Sequence, residues 1–203
     1  MSPDEVRARY EQVRAEVGDA VTVVVATKYV TVAELGVLAE AGVEVVGENR
    51  AQDLAAKHEI YGDAFRWHFI GHLQSRKAKT VNELCELCHS LDSESAARKL
   101  EIPALVEVNL SGEPTKSGID PGDVGAFLEL YPQVRGLMTM PPLSEDPETS
   151  RPYFVRLREL AEAHGLRELS MGTSQDYAVA AEEGATYVRV GSTILGGDGR
   201  SSQ

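Results

Sequence analysis

The chain has 203 residues, of which 42% are hydrophobic and 26% charged, close to globular averages, so disorder, collagen and coiled coil are poor accounts of it. One domain is expected, because domains run to roughly 150 residues and two would be cramped. Lys and Arg number 20 against 32 Asp and Glu, a net charge of −12, which argues against nucleic acid or an anionic membrane as the main partner.

The opening segment 1–18 is charged throughout, with Val6, Val13 and Val17 on one side, and reads as an amphipathic leading helix rather than a secretory signal. VTVVVATK (21–28) is a β-branched run without alternation, the form of a parallel strand covered on both faces. TVAELGVLAEAG (31–42) follows as a helix stopped by Gly42. VEVVGEN (43–49) with a helix over about 50–58 repeats the unit, as does RWHFIG (66–71) with a helix from Ser75. LCHSLD (87–92) precedes SESAARKL, and PALVEVN (103–109) precedes a helix near 121–130. VRGLMTM (134–140), ELSMG (168–172) and YVRVGS (187–192) complete the strands, with helices near 149–164 and 175–183 between them.

Eight βα units over 21–192 predict an α/β fold, a single-domain (β/α)8 TIM-type barrel with an extra N-terminal helix. A doubly wound open sheet is the alternative. Such barrels usually take about 250 residues, so the loops must be short, and 193–203 is left as a C-terminal tail. No run reaches the ~18 apolar residues of a membrane span. Two cysteines, Cys85 and Cys88, suit a reducing compartment, and a cytoplasmic location is expected.

In a barrel of this type the active site lies at the C-terminal strand ends. Those ends carry Lys28, Glu48 with Asn49, His68 to Gly71, Asn109, Met140, Ser170 to Ser174, and Arg189 to Ser192. Lys28 ends an apolar run, and apolar walls would disfavour its ammonium form, leaving the neutral amine that carbonyl addition requires. A strand-end lysine that simply reaches water is the plainer account. Gly172, Thr173 and Ser174 after the seventh strand, with Gly191, Ser192 and Thr193 after the eighth, have the small residues of a phosphate cradle, or of ordinary turns. Arg189 lies inside YVRVGS, where its charge needs a partner: Glu48, Glu107 or a ligand in the barrel mouth.

Other residues carry weaker signals. His68, beside Trp67, reads first as a satisfied core histidine, and its spacing makes no metal site. Lys116 in SGEPTKSG is a solvated charge or an anion contact. CELCH (85–89) has the C-x-x-C-H spacing of haem attachment, but two buried or half-buried thiols account for it better, and no metal is expected.

ATK (26–28), GEN (47–49), WHFIGHLQSRK (67–77), VNLSGEPTKSG (108–118), RGLMTM (135–140), LSMGTSQD (169–176) and VRVGSTILG (188–196) occur in this order. Together they closely resemble the pyridoxal phosphate homeostasis protein family, the YggS/PROSC type, over nearly the whole chain. The resemblance implies a barrel like the N-terminal domain of alanine racemase, PLP fold type III, with pyridoxal 5′-phosphate (PLP) covalently held on Lys28 as an internal aldimine. Arg189 is similar to the family's arginine facing the pyridine nitrogen. Ser174, Gly191 and Ser192 match the phosphate-holding positions, Asn49 matches a pocket asparagine, and His68 belongs to a block near the cofactor. The chain departs from the family at Arg76, Thr173 and Leu195, where Asn, Met and Phe are common.

Two classes of function compete for such a barrel, a PLP-binding protein and a PLP-dependent racemase-like enzyme. An arginine at the pyridine nitrogen disfavours ring protonation and weakens PLP as an electron sink. The length also leaves no room for the second domain that racemases and decarboxylases add, so the site is expected to be open to water. Both arguments favour a protein that carries or buffers PLP in vitamin B6 and amino-acid homeostasis, without strong catalysis. The resemblance adds PLP-dependent apo-enzymes as candidate recipients, and a monomer. A sugar-phosphate isomerase using Glu48 or Glu107 as base is a third reading.

Overall fold

The computed structural model describes residues 1–196. Eight parallel strands close into a barrel in chain order: β1 (Thr22–Ala26), β2 (Val45–Glu48), β3 (Arg66–Phe69), β4 (Leu87–Leu91), β5 (Ala104–Glu107), β6 (Val134–Met138), β7 (Glu168–Thr173) and β8 (Tyr187–Val190). β8 pairs back onto β1, with Val24 opposite Arg189. The expected barrel is therefore observed, and the open sheet is excluded.

Helices alternate with the strands: α1 (Pro3–Val17), α2 (Val32–Glu40), α3 (Ala51–Tyr61), α4 (Ala78–Leu84), α5 (Glu94–Ala97), α6 (Val124–Leu130), α7 (Arg151–Ala163), α8 (Tyr177–Glu182) and α9 (Ser192–Leu195). Local chemistry sets their starts. Ser2 with Glu5, and Thr31 with Glu34, form reciprocal capping boxes that satisfy the first N–H groups of α1 and α2. α1 buries Val6, Tyr10, Val13 and Val17 against α2, α8 and α9, so it covers the outside of the seam where β8 meets β1.

Side chains alternate across each strand. One face meets the helices in the main core, which includes Val23, Val25, Val46, Trp67, Phe69, Leu137 and Val188. The other fills the barrel, where Leu87, Leu105 and Met138 form an apolar plug with the half-buried Tyr187 against it. Among the described residues no helix is long and apolar enough to cross a membrane.

Several boundaries differ from expectation. β1 stops at Ala26, because the chain turns at once and Val30 N–H closes onto the Thr27 carbonyl at 2.9 Å. Lys28 therefore stands on a turn rather than on the strand. The segment from Ser75 begins as a 3-10 turn, Ser75–Lys77, before α4, and similar turns, Pro121–Asp123 and Pro147–Ser150, precede α6 and α7. The expected tail 193–203 opens within α9, whose Ile194 and Leu195 N–H groups both donate to the Gly191 carbonyl; its remainder from 197 lies outside the described residues.

Candidate functional site

Lys28 and Tyr29 are the central residues of the turn after β1. Lys28 is exposed, with Nζ 4.9 Å from the centroid of the Tyr29 ring. The apolar walls expected around it are absent, since the chain turns here and leaves the side chain exposed. The buried lysine is instead Lys57 on α3, 4% exposed and ion-paired with the fully buried Glu48. Glu48 lies on the opposite face of β2 from Gly47, whose missing Cβ would sit 2.9 Å from Val24 inside the barrel. Its carboxylate thus points to the helix layer, away from the mouth, with Oε2 unpartnered. That placement removes Glu48 both as the ion-pair partner of Arg189 and as the base of a sugar-phosphate isomerase.

A chain of polar groups crosses the barrel interior above the apolar plug. His68 Nδ1 lies 2.9 Å from His89 Nε2, and His89 Nδ1 lies 2.7 Å from Ser170 Oγ. Ser170 in turn accepts from Arg189 Nη1. Because β4 and β7 are not neighbours, the His89–Ser170 contact marks this face as the interior. Arginine has no acceptor atoms, so the guanidinium is the donor to Ser170. Burial supports two neutral rings. It lowers the His68 pKa to about 3, helped by Arg66, and holds His89 well below its ordinary value, helped by His68 and Arg189.

Arg189 is 6% exposed and makes no ion pair among the described residues. Nη2 meets the Thr139 carbonyl at 3.1 Å and Met140 Sδ at 2.9 Å. Burial lowers its pKa to about 10, opposed by the charges of Glu107 and Asp176. Glu107, the other expected partner, accepts from Ser117 Oγ at 2.9 Å, and burial raises its pKa. It faces a cavity of about 460 Å³ at the ends of β5 to β7, whose lining also includes Asn109, Lys116, Met140 and Asp176. Lys116 is half-buried, 3.6 Å from Glu113. Asn109 shapes its own loop: its Oδ1 accepts from Ser111 Oγ at 3.0 Å and from Gly112 N–H at 3.1 Å.

The loops after β7 and β8 meet each other. Ser174 Oγ accepts from Gly191 N–H at 3.0 Å, and Thr193 Oγ1 donates to the Ser174 carbonyl at 3.2 Å. Thr173, one of the departures from the family, has its N–H and hydroxyl both tied to Asp176 Oδ1, at 2.6 and 3.0 Å. A Cβ on Gly191 would meet only Ala26, at 3.5 Å or more. Packing within the protein therefore does not demand a glycine there, whereas an anion drawn against the backbone would. Ser192 is exposed and begins α9, where the first N–H groups precede any intrahelical bond. Asn49 is half-buried in the turn after β2, and Gly71 lies so close that a Cβ would be 2.1 Å from the Asn49 carbonyl oxygen.

The fold thus brings Lys28, Asn49, Ser174, Arg189, Gly191 and Ser192 to the β7–β8–β1–β2 side of the mouth, with His68 inside the barrel and joined to Arg189 through His89 and Ser170. Cys85 and Cys88 are free and buried; burial pushes both thiols up, Cys88 to about 11. The sequence reading overlooked Lys57 and His89. No family model matches the chain. The pyridoxal phosphate homeostasis protein of Aquifex aeolicus is 42% identical, over 76% of this chain and 77% of its own length.

This chain belongs to the pyridoxal phosphate homeostasis protein family.

A solved structure agrees with that placement in the family. PipY of Synechococcus elongatus, determined with PLP bound, superposes with a TM-score of 0.84 at 31% identity, covering 94% of this chain and 99% of its own. Outside the family, the lysine/ornithine decarboxylase of Vibrio vulnificus shares the barrel alone, with a TM-score of 0.74 at 14% identity, covering 96% of this chain and 62% of that one.

Proposed function

We propose that this protein binds PLP in the barrel mouth, covalently through Lys28, and carries or buffers it in vitamin B6 and amino-acid homeostasis. Arg189 carries the reading: a buried guanidinium with no carboxylate partner among the described residues, on the same side of the mouth as Lys28 and the Ser174–Gly191 contact. A pyridine nitrogen is an acceptor that fits such a cation, and the joined loops after β7 and β8 offer neutral donors to a phosphate. When bound, PLP supplies an aldehyde for a lysine and an electron-withdrawing ring. The family membership and the PLP-bound PipY structure support the same ligand.

The residues suit retention of PLP better than catalysis on it. The Arg189 charge disfavours a protonated ring nitrogen, which handicaps carbanion chemistry. Ser174, Gly191 and Ser192 hold the phosphate, Asn49 lines the ring pocket, and His68 steadies Arg189 through His89 and Ser170. In this reading the protein acts as a cytoplasmic monomer, and PLP-dependent apo-enzymes are its recipients.

The test is a visible spectrum of the PLP-loaded protein before and after borohydride, followed by mass mapping of the modified lysine. A yellow protein labelled at Lys28 is expected, and Lys28→Ala should lose both the band and the label. Labelling at Lys116, or a colourless protein that does not take up PLP, overturns the reading.

A further inference from the structure

Groups from three elements converge beneath Lys28. All the polar groups of Thr27 are engaged. Its N–H donates to the Gly47 carbonyl at 3.0 Å, and its hydroxyl donates to Glu48 Oε1 at 2.5 Å. Its carbonyl accepts from Val30 N–H at 2.9 Å and again from Lys57 Nζ at 2.8 Å. Lys57, from α3, and Glu48, from β2, pair with each other, and both are buried. The attraction within a buried ion pair barely repays its desolvation, so stability alone is a weak reason for one. This pair does hold the peptide that immediately precedes Lys28.

We propose that Lys57 and Glu48 are positioning residues for Lys28, fixing Thr27 so that the turn presents Lys28 Nζ to the PLP aldehyde. The inference rests on the PLP reading above. Because Lys28 is exposed, its placement comes from its backbone rather than from walls around its side chain. In the step being positioned, the unprotonated Lys28 amine adds to the aldehyde carbon, C=O becomes C=N, and one water leaves. Lys57 and Glu48 exchange no proton in it.

The experiment follows the rate at which the visible band appears after PLP is mixed with the unliganded protein. It also measures the affinity for pyridoxine 5′-phosphate, which has the ring and phosphate but no aldehyde. Lys57→Met is the first variant. Since one unpaired buried charge can prevent folding, Lys57→Met/Glu48→Gln, which removes both charges, is the second. A misplacement of about 1 Å can cost about 100-fold in an oriented reaction, so link formation should slow by about tenfold or more, with pyridoxine 5′-phosphate affinity within about twofold. An unchanged rate in either folded variant overturns the clamp, as does a parallel loss of pyridoxine 5′-phosphate affinity, which marks general damage. If the unmutated protein forms no reducible link, the PLP reading fails and the clamp with it, an outcome visible before any variant is made.

Discussion

Acid should destabilise this protein earlier than its carboxylates require, because two neutral histidines are sealed inside the barrel. In the unfolded chain each imidazole takes a proton near pH 6.5. In the fold His68 does not do so until about pH 3, and His89 titrates well below its ordinary value. The unfolded state therefore binds more protons over this window, and stability falls as pH falls from about 6.5 toward the folded pKa values. Between pH 7.5 and 5 the loss from His68 is about 2 kcal/mol, and His89 adds to it in the same direction. That is a large share of the roughly 5–15 kcal/mol that holds a domain folded. Glu16, Glu34, Glu94 and Glu148, whose pKa values are lowered by their hydrogen bonds, lose stability only further down the scale, while the raised Glu107 acts in the opposite direction. Urea unfolding of the unliganded protein at intervals from pH 7.5 to 5 gives the slope, and His89→Leu should make it shallower. A stability flat to within about 1 kcal/mol over that range would refute the buried-neutral assignment.

Ser170→Ala removes the hydroxyl between His89 and Arg189, leaving a buried ring nitrogen unpaired, and should cost about 1–3 kcal/mol in urea unfolding. Its effect should not add to that of His89→Leu, because the two residues share one chain; simple additivity would count against the chain. Gly71→Ala drives a Cβ into the Asn49 carbonyl, and should lower the melting temperature by an amount matching about 1–3 kcal/mol or more. An unchanged melting temperature would show that this approach relaxes freely. Ser192→Asp sets like charge against the expected phosphate, so PLP retention through dialysis should fall sharply, and undiminished retention would remove Ser192 from the cradle.

The alternation of apolar runs with amphipathic segments carried the barrel, because a strand covered on both faces and a helix covered on one leave different periods in the sequence. The side of the mouth where Lys28, Ser174, Arg189 and Gly191 meet was legible for the same reason, since strand ends in a barrel share one rim. The environment of Lys28 was misread. The strand character of VTVVVATK extends the expected strand through Lys28, but hydrogen bonds from two other elements hold Thr27 and turn the chain there. Lys57 looked like an ordinary helix lysine, although it continues the buried stripe of Ala51 and Leu54 at intervals of three. His89 was obscured by the C-x-x-C-H spacing; alternation in LCHSLD places it on the same face as Leu87, inside the barrel. Asn109 sits at a strand end like the others, yet its amide is spent on the loop that follows.

The position of α1 over the barrel seam has a consequence for synthesis on the ribosome. Its apolar stripe is made before β1, yet α8 and α9, which cover much of it, are made only after β7 and β8, and the Glu16 carboxylate waits for a hydroxyl from Tyr177. At about 5–20 residues per second, emergence of the second group trails the first by roughly 8–32 s. During that interval only α2 is available as a neighbour, so Val6, Tyr10, Val13 and Val17 are open to chaperones and to other nascent chains. That helix thus gains its partners in two widely spaced steps, and β8 can lock against β1 only after the strands between them have been made.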